Sequence, residues 1–225
     1  MKLSAIYLDG NQPILNDPAD KDLNSRQIFL KRTLEQPVGS SQFLVTNYLK
    51  ATLEMLGILP SKSMTEVINP THVTLGAIAS ALLPYDRIDD SSAIALLPTN
   101  SLVAHDSLTE FVQGMLNSDY EAGVLLVESN NPNFSYVRMF ESKIIEFVEK
   151  RVVGNYATTG VFFFRDKKML LDCAGWAFVN NQSTNNQYYV APSLNHILTS
   201  GRSIGYQVLA PSQYQHSSWT TEKGE

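Results

Sequence analysis

Asp9 directly follows the apolar run Leu3–Leu8 and precedes Gly10, at the end of what reads as a first buried strand. Open α/β sheets bind ligands at such strand ends, and a carboxylate there could contribute charge to a divalent cation. The same Asp-Gly pair also suits a tight turn. Glu149 and Lys150 close the alternating run Lys143–Glu149 and, taken alone, form a solvated charge pair at a strand end. Gly76 stands at the start of a helical pattern and Gly160 inside an apolar strand pattern, Thr159–Phe164. A missing side chain at such places admits either a close neighbour, a bulge or a ligand. Tyr188 and Tyr189 could flank a pocket or act as core residues beside a helix start. The 4 histidines share no H-x-x-x-H spacing, which leaves no zinc site to propose. The single Cys173 permits no internal disulfide and reads as a small buried residue. No G-x-S-x-G elbow supports esterase-type chemistry.

The elements that must carry these residues follow from apolar spacing. Leu3–Leu8, Ala93–Leu97 and Gly123–Val127 read as buried strands, and Met64–Ile68 as a short strand. Helical patterns separate them: a short one near Ser25–Leu34, one from Val45 to Leu56 closed by Gly57, one capped by Thr74, and one opened by a Ser107/Glu110 capping box. Strands alternating with helices predict parallel neighbours joined by right-handed crossovers. Phe134–Phe140 and Lys143–Glu149 then predict an antiparallel hairpin, and Thr159–Phe164 a central strand. Asp166–Cys173 is helix-like, residues 180–187 an exposed loop, Pro192–Ser200 a helix capped by Gly201, and Ser203–Leu209 a last strand. The expected fold is α/β, a mixed central sheet with helices on both faces. It forms one domain over 1–225, with a parallel half to residue 130 and a half rich in antiparallel strands from 131.

With 225 residues, 44% apolar and 17% charged, the chain can bury a sizeable core. A net charge of −5 argues against nucleic acid as a partner. No apolar run approaches the roughly 18 residues of a membrane span, and the N-terminus turns polar too early for a signal peptide. The expectation is a cytoplasmic protein without a membrane association. The N-x-S sequons at Asn133 and Asn181 then occur by chance.

Two stretches carry a family likeness. Phe147-Val148-Glu149-Lys150-Arg151, followed by Asn155-Tyr156-Ala157-Thr158-Thr159-Gly160-Val161-Phe162-Phe163-Phe164, resembles the "E-K … A-x-T-G-x-Y-x-F" segment of sugar-phosphate nucleotidyltransferases, the nucleotide-sugar pyrophosphorylases with a glycosyltransferase-A-like, Rossmann-like fold. Thr74-Leu75-Gly76-Ala77-Ile78-Ala79-Ser80-Ala81-Leu82 resembles that family's "T-x-G-x-x-x-S-A-L" helix start near the base. The resemblance implies attack of a sugar 1-phosphate on the α-phosphorus of a nucleoside triphosphate, with pyrophosphate released. It implies that Glu149, Lys150, Thr159 and Gly160 meet the sugar phosphate, and that Asp9, Gly10, Gly76 and Asn100 lie on the nucleotide side.

The phosphate side departs from the pattern. The expected G-x-G-x-R loop reads Leu8-Asp9-Gly10-Asn11-Gln12-Pro13, and no P-K pair follows at the right spacing, although Arg26, Lys31 and Arg32 are near. Laying Pro98-Thr99-Asn100-Ser101 over "N-x-D-Q" puts Asn100 where the family has a metal-binding aspartate; laying Ser217–Glu222 over "D-x-G-T-P-E" puts Ser217 at the second. Two unit charges about 4 Å apart interact by about 4 kcal/mol at an effective dielectric of about 20. Losing both carboxylates therefore costs orders of magnitude in magnesium–triphosphate occupancy or rate. The leading expectation is a nucleotidyltransferase-like protein of sugar-nucleotide or polysaccharide metabolism with impaired catalysis, no confident cofactor, and a residual site for a nucleotide, sugar phosphate or nucleotide sugar. One alternative is an active enzyme in which Asp9 helps hold Mg2+. The other is a non-catalytic assembly or regulatory partner, either with another protein or as a homo-oligomer. The Asp9–Pro37 stretch would line the cleft in an enzyme and cover or leave it in a scaffold.

Overall fold

The computed structural model describes residues 2–9, 25–36, 38–60 and 62–217. In chain order its elements are β1 (Leu3–Leu8), α1 (Ser25–Leu34), β2 (Ser41–Val45), α2 (Lys50–Met55), β3 (Glu66–Ile68), α3 (Ala77–Ala81), β4 (Ala93–Pro98), β5 (Ser101–Val103), α4 (His105–Leu116) and β6 (Ala122–Glu128). There follow β7 (Ser135–Phe140), β8 (Lys143–Glu149), β9 (Tyr156–Phe164), α5 (Lys167–Val179), β10 (Ser183–Thr184), β11 (Gln187–Tyr188), α6 (Val190–Ser193), α7 (Asn195–Thr199), β12 (Gly205–Leu209) and β13 (Tyr214–His216).

The central sheet runs β12-β6-β9-β4-β1-β2-β3, with the β7–β8 hairpin attached to β9. Its neighbours are parallel except where β9 runs against β4 and β6. β4 and β6 keep the common direction predicted for them, but β9 lies between them as the central strand. Leu3 to Tyr7 are buried without alternation because helices cover both faces. Tyr7, Leu44, Phe111 and Phe163 pack on one side; Ile6, Phe43, Phe162 and Leu170 pack on the other.

Several element limits differ from expectation for local reasons. Val45 is the last residue of β2, in register with Leu8, so the helical spacing read from it merges a strand end with a helix that starts at Lys50. Gly57 does terminate that helix, at φ +64°, with the Ile58 amide on the Leu53 carbonyl at 2.9 Å. Thr74 does not cap α3; Gly76 occupies the N-cap, and the Thr74 hydroxyl instead meets that of Ser80 at 2.6 Å. Ser107 lies inside α4, which begins at His105, and its hydroxyl accepts from Gln213 Nε2 at 2.8 Å. α5 runs to Val179, well past Cys173, with the Asp166 carboxylate accepting from the Met169 amide at 2.7 Å. The polar run near 180–187 contains the β10–β11 ribbon, turned by Asn185 and Asn186 at φ +53° and +58°. Pro192 falls within α6, and a second short helix, α7, follows it before Gly201.

Candidate functional site

A cleft of about 520 Å³ opens at the C-terminal ends of β1 and β4. The start of β9, the first residue of β7 and the segment joining β11 to α6 complete its walls. β9 presents Thr158, Gly160 and Phe162 to it, following the period of two that a strand imposes.

At the strand end of the cleft, Asp9 is 7% exposed. Its amide donates to the Val45 carbonyl at 3.0 Å, continuing the β1–β2 ladder. Its carboxylate accepts from Thr46 Oγ1 at 2.7 Å on one oxygen and from Thr99 Oγ1 at 3.0 Å on the other. The side chain thereby ties together the ends of three adjacent parallel strands, β2, β1 and β4. Asn100 and Ser217 also meet here. The Ser217 amide donates to the Asn100 carbonyl at 2.9 Å, just beyond the antiparallel β5–β13 pair.

At the opposite end, Ser135 opens β7 in register with Glu149, the last residue of β8. The Ser135 hydroxyl donates to a Glu149 carboxylate oxygen. Burial pushes the Glu149 carboxyl up to about 7, against the opposing pull of the Ser135 hydroxyl and the Lys150 charge. Lys150 turns out of the strand at φ +52°; its amide donates to the Phe134 carbonyl at 3.0 Å. Its ammonium donates to the Tyr189 hydroxyl at 2.7 Å and stands 4.8 Å from that ring's centre.

The glycines are explained by their neighbours. A Cβ on Gly76, at φ +119°, would stand 2.4 Å from the Tyr188 carbonyl oxygen, so β11 can approach α3 only because no side chain intervenes. A Cβ on Gly160, at φ +86°, would meet the Pro98 ring at 2.8 Å. Gly160 also sits where the β6–β9 register shifts, the bulge that the sequence allowed for. At this irregularity Thr159 turns away from the cleft: its hydroxyl donates to the Leu125 carbonyl at 3.1 Å, and its own carbonyl accepts from Ser101 Oγ at 3.2 Å.

The fold therefore brings Asp9, Gly76, Asn100 and Gly160 to one cleft, with Ser217 beside Asn100 and with Glu149 and Lys150 just behind its wall. It turns Thr159 into the sheet. Gly10, most of the Asp9–Pro37 stretch and the 218–222 part of the C-terminal likeness lie outside the described residues. Thr46, Thr158 and Ser135 were not singled out from sequence. Strand alternation through Gly160 would have indicated Thr158; nothing local marked Thr46. Tyr189 lines the cleft, whereas Tyr188 packs edge-on against Phe178, with ring centres 4.9 Å apart.

Among the described residues, the cleft supplies few of the charged oxygen ligands that a magnesium site of the family type uses. Asp9 is the one carboxylate lining the cleft among the described residues, and both its oxygens already accept threonine protons. Asn100 and Ser217 are neutral, and no group of three or more His, Cys, Asp or Glu converges among the described residues. Likewise, among those residues, no helix is long and apolar enough to cross a membrane.

No family model and no curated protein matches this sequence. Solved structures do match. The nucleoside-diphosphate-sugar pyrophosphorylase from Vibrio cholerae RC9 superposes with a TM-score of 0.65 at 14% identity, over 96% of this chain and 95% of that one. A protein from Bacillus anthracis, described as a candidate glucose-1-phosphate thymidylyltransferase in complex with a sucrose, gives 0.65 at 15% identity over 96% and 89%. The inositol-1-phosphate CTP transferase from T. maritima gives 0.61 at 15% identity over 92% and 85%. At such identities the likeness is one of architecture: the chain has the mixed α/β fold of the sugar-phosphate nucleotidyltransferases that its sequence resembles.

Proposed function

We propose that this chain is a single-domain, cytoplasmic, nucleotidyltransferase-like protein of sugar-nucleotide or polysaccharide metabolism. It binds a nucleotide, sugar phosphate or nucleotide sugar in the 520 Å³ cleft and has lost ordinary magnesium-dependent nucleotidyl transfer. One observation carries the second half of this reading. The positions laid over the family's metal-binding aspartates, Asn100 and Ser217, come together at the cleft as neutral residues, and Asp9 beside them has both carboxylate oxygens engaged. A cation held against triphosphate would lack the charge it needs. The first half is supported by the polar character of the opposite end, where Ser135 and Tyr189 offer hydroxyls backed by a carboxyl and an ammonium.

Calorimetry with nucleoside triphosphates, hexose 1-phosphates and nucleotide sugars, together with a pyrophosphate-release assay in magnesium, tests both halves. The expected result is heat from at least one hexose 1-phosphate or nucleotide sugar and no pyrophosphate. Silence across the ligands defeats the binding reading. Magnesium-dependent pyrophosphate release abolished by Asp9→Ala defeats the claim of lost transfer.

A further inference from the structure

Ser135 has a single proton, and it points at Glu149 rather than into the cleft that Ser135 lines. An ionised carboxylate only accepts, so beside it the serine must donate, leaving its lone pairs as what it offers a ligand. A protonated Glu149 has an O–H of its own. That O–H can donate to Ser135 Oγ, and the serine proton is then released toward the cleft. Tyr189 is constrained differently. Its oxygen accepts from the Lys150 ammonium, which has no acceptor capacity, so the tyrosine proton stays available to a ligand.

We infer that Ser135 is a specificity-determining residue whose hydrogen-bond polarity is set by Glu149: an acceptor for a ligand hydroxyl while Glu149 is ionised, a donor to a ligand oxygen once Glu149 is protonated, with a fixed donor at Tyr189 in the same cleft. The inference rests on the proposed reading that the cleft takes a sugar phosphate or nucleotide sugar, and it names the atoms that would read the polyol. The exchange falls in an accessible range, because burial carries Glu149 to about 7. The groups around it are few among the described residues. Lys150, next in the chain, favours the ionised form, and Ser135 reaches it from β7. Tyr189 stands behind Lys150. His216 of β13 packs edge-on against Phe134, the neighbour of Ser135, at 5.0 Å between ring centres, and burial lowers its proton affinity.

The probes are glucose 1-phosphate and its four monodeoxyfluoro analogues, with fluorine in turn at carbons 2, 3, 4 and 6. Fluorine cannot donate a proton, so each analogue removes one donor while nearly preserving size. Comparing each probe-to-analogue ratio in the wild type with the same ratio in Ser135→Ala cancels the phosphate's own titration. For the wild-type protein, the preference for hydroxyl over fluorine at one position should be about tenfold larger at pH 8 than at pH 6. Ser135→Ala and Glu149→Gln should each abolish that pH dependence, the latter because an amide donates and accepts at any pH. A ligand-free measurement runs beside it: the carbon-13 carboxyl titration of Glu149 should move upward by roughly one unit in Ser135→Ala, since the ionised form loses its donor. Glucose 1-phosphate binding with the same fluorine penalties at both pH values overturns the inference and leaves the proposed ligand class standing. If no probe binds, the proposed ligand class fails instead, and the titration decides the switch by itself. A Glu149 midpoint unchanged in Ser135→Ala overturns it.

Discussion

One carboxylate, Asp9, lines one end of the cleft and another, Glu149, stands behind the wall of the opposite end, and the contrast between them shows what a scaffold does with a buried acid. Asp9 accepts from Thr46 and Thr99, both of which follow strands parallel to its own. Its charge is absorbed into the sheet, and moving it would disturb three strand ends together. Glu149 accepts from Ser135, a residue that also faces the cleft, and burial holds its carboxyl near 7. One acid is spent on the fold; the other keeps an exchangeable proton beside a ligand-sized space. Location alone does not separate them, since both sit at strand ends. The difference lies in what the donors tie together: for Asp9 the ends of adjacent parallel strands, for Glu149 the two strands of one hairpin.

The largest effect should come from breaking the framework end. Asp9→Ala removes the acceptor from two buried threonine hydroxyls, and hydrogen bonds to charged groups contribute about 1.5–3 kcal/mol each, so a loss of about 3 kcal/mol in unfolding free energy is expected after partial relaxation. Asp9→Asn keeps one acceptor and should lose about 2 kcal/mol. Urea titrations near neutral pH measure both. A loss under about 1 kcal/mol for the alanine variant would mean that Asp9 does not hold the strand ends together.

The hairpin end should respond with the opposite sign. Glu149 has a folded value of about 7 against an ordinary 4.5, so between those values the folded state holds more protons than the unfolded state. Stability from this group is therefore present at low pH and lost as pH rises through about 7. Glu149→Gln lacks that loss. Its stability relative to wild type should improve by roughly 2 kcal/mol between pH 5 and pH 8, less than the full shift because the carboxyl keeps some solvent contact. A difference that is flat with pH would contradict the contrast between the two acids.

The same contrast shows how far a reader of the sequence can go. Leu3–Leu8, the β7–β8 hairpin and the central place of β9 were legible, because unbroken apolar runs and clean alternation report burial directly. β2 was not, because Ser41 and Gln42 dilute a three-residue apolar run and Val45 falls into step with the next helix. At the site, Asp9 stood out at a strand end, Gly76 at a helix start and Gly160 inside an apolar strand pattern, each within or beside a stretch compared with the family. Their reasons were hidden. The partners that explain them, Thr46, Thr99, Tyr188 and Pro98, arrive from distant strands and loops, and no local pattern announces such a meeting. Thr159 was named through the family likeness, and its hydroxyl turns to the Leu125 carbonyl while Thr158, one residue earlier, faces the cleft with Gly160.

A double-mutant cycle sharpens the framework end. Thr46→Val and Thr99→Val each remove one donor from the Asp9 carboxylate and should each cost about 1.5 kcal/mol. Each variant leaves the acid with its remaining partner; the double variant leaves it with neither. The pair should therefore cost more than the sum of the single changes, with a coupling of about 1 kcal/mol. Strict additivity would show that the two hydroxyls do not share one carboxylate in solution. The matching cycle at the hairpin end, between Ser135→Ala and Tyr189→Phe, should be additive, since each hydroxyl answers to a different charged group.

The smallest effect on stability belongs to Tyr189→Phe. The ring keeps its packing and its contact with the Lys150 ammonium, and only the hydroxyl that accepts from that ammonium is lost. The ammonium recovers much of that hydrogen bond from water, so the change in unfolding free energy should be about 0.5 kcal/mol. Ligand binding should report the residue instead. Removing a fixed donor weakens glucose 1-phosphate about tenfold at pH 6 and at pH 8 alike, the counterpart of about 1.4 kcal/mol. Ser135→Ala, in contrast, alters how binding depends on pH. If Tyr189→Phe also reshapes the pH profile, the lysine-held hydroxyl and the carboxyl-held hydroxyl are one linked network, and the division of the wall into a fixed donor and a switchable partner gives way.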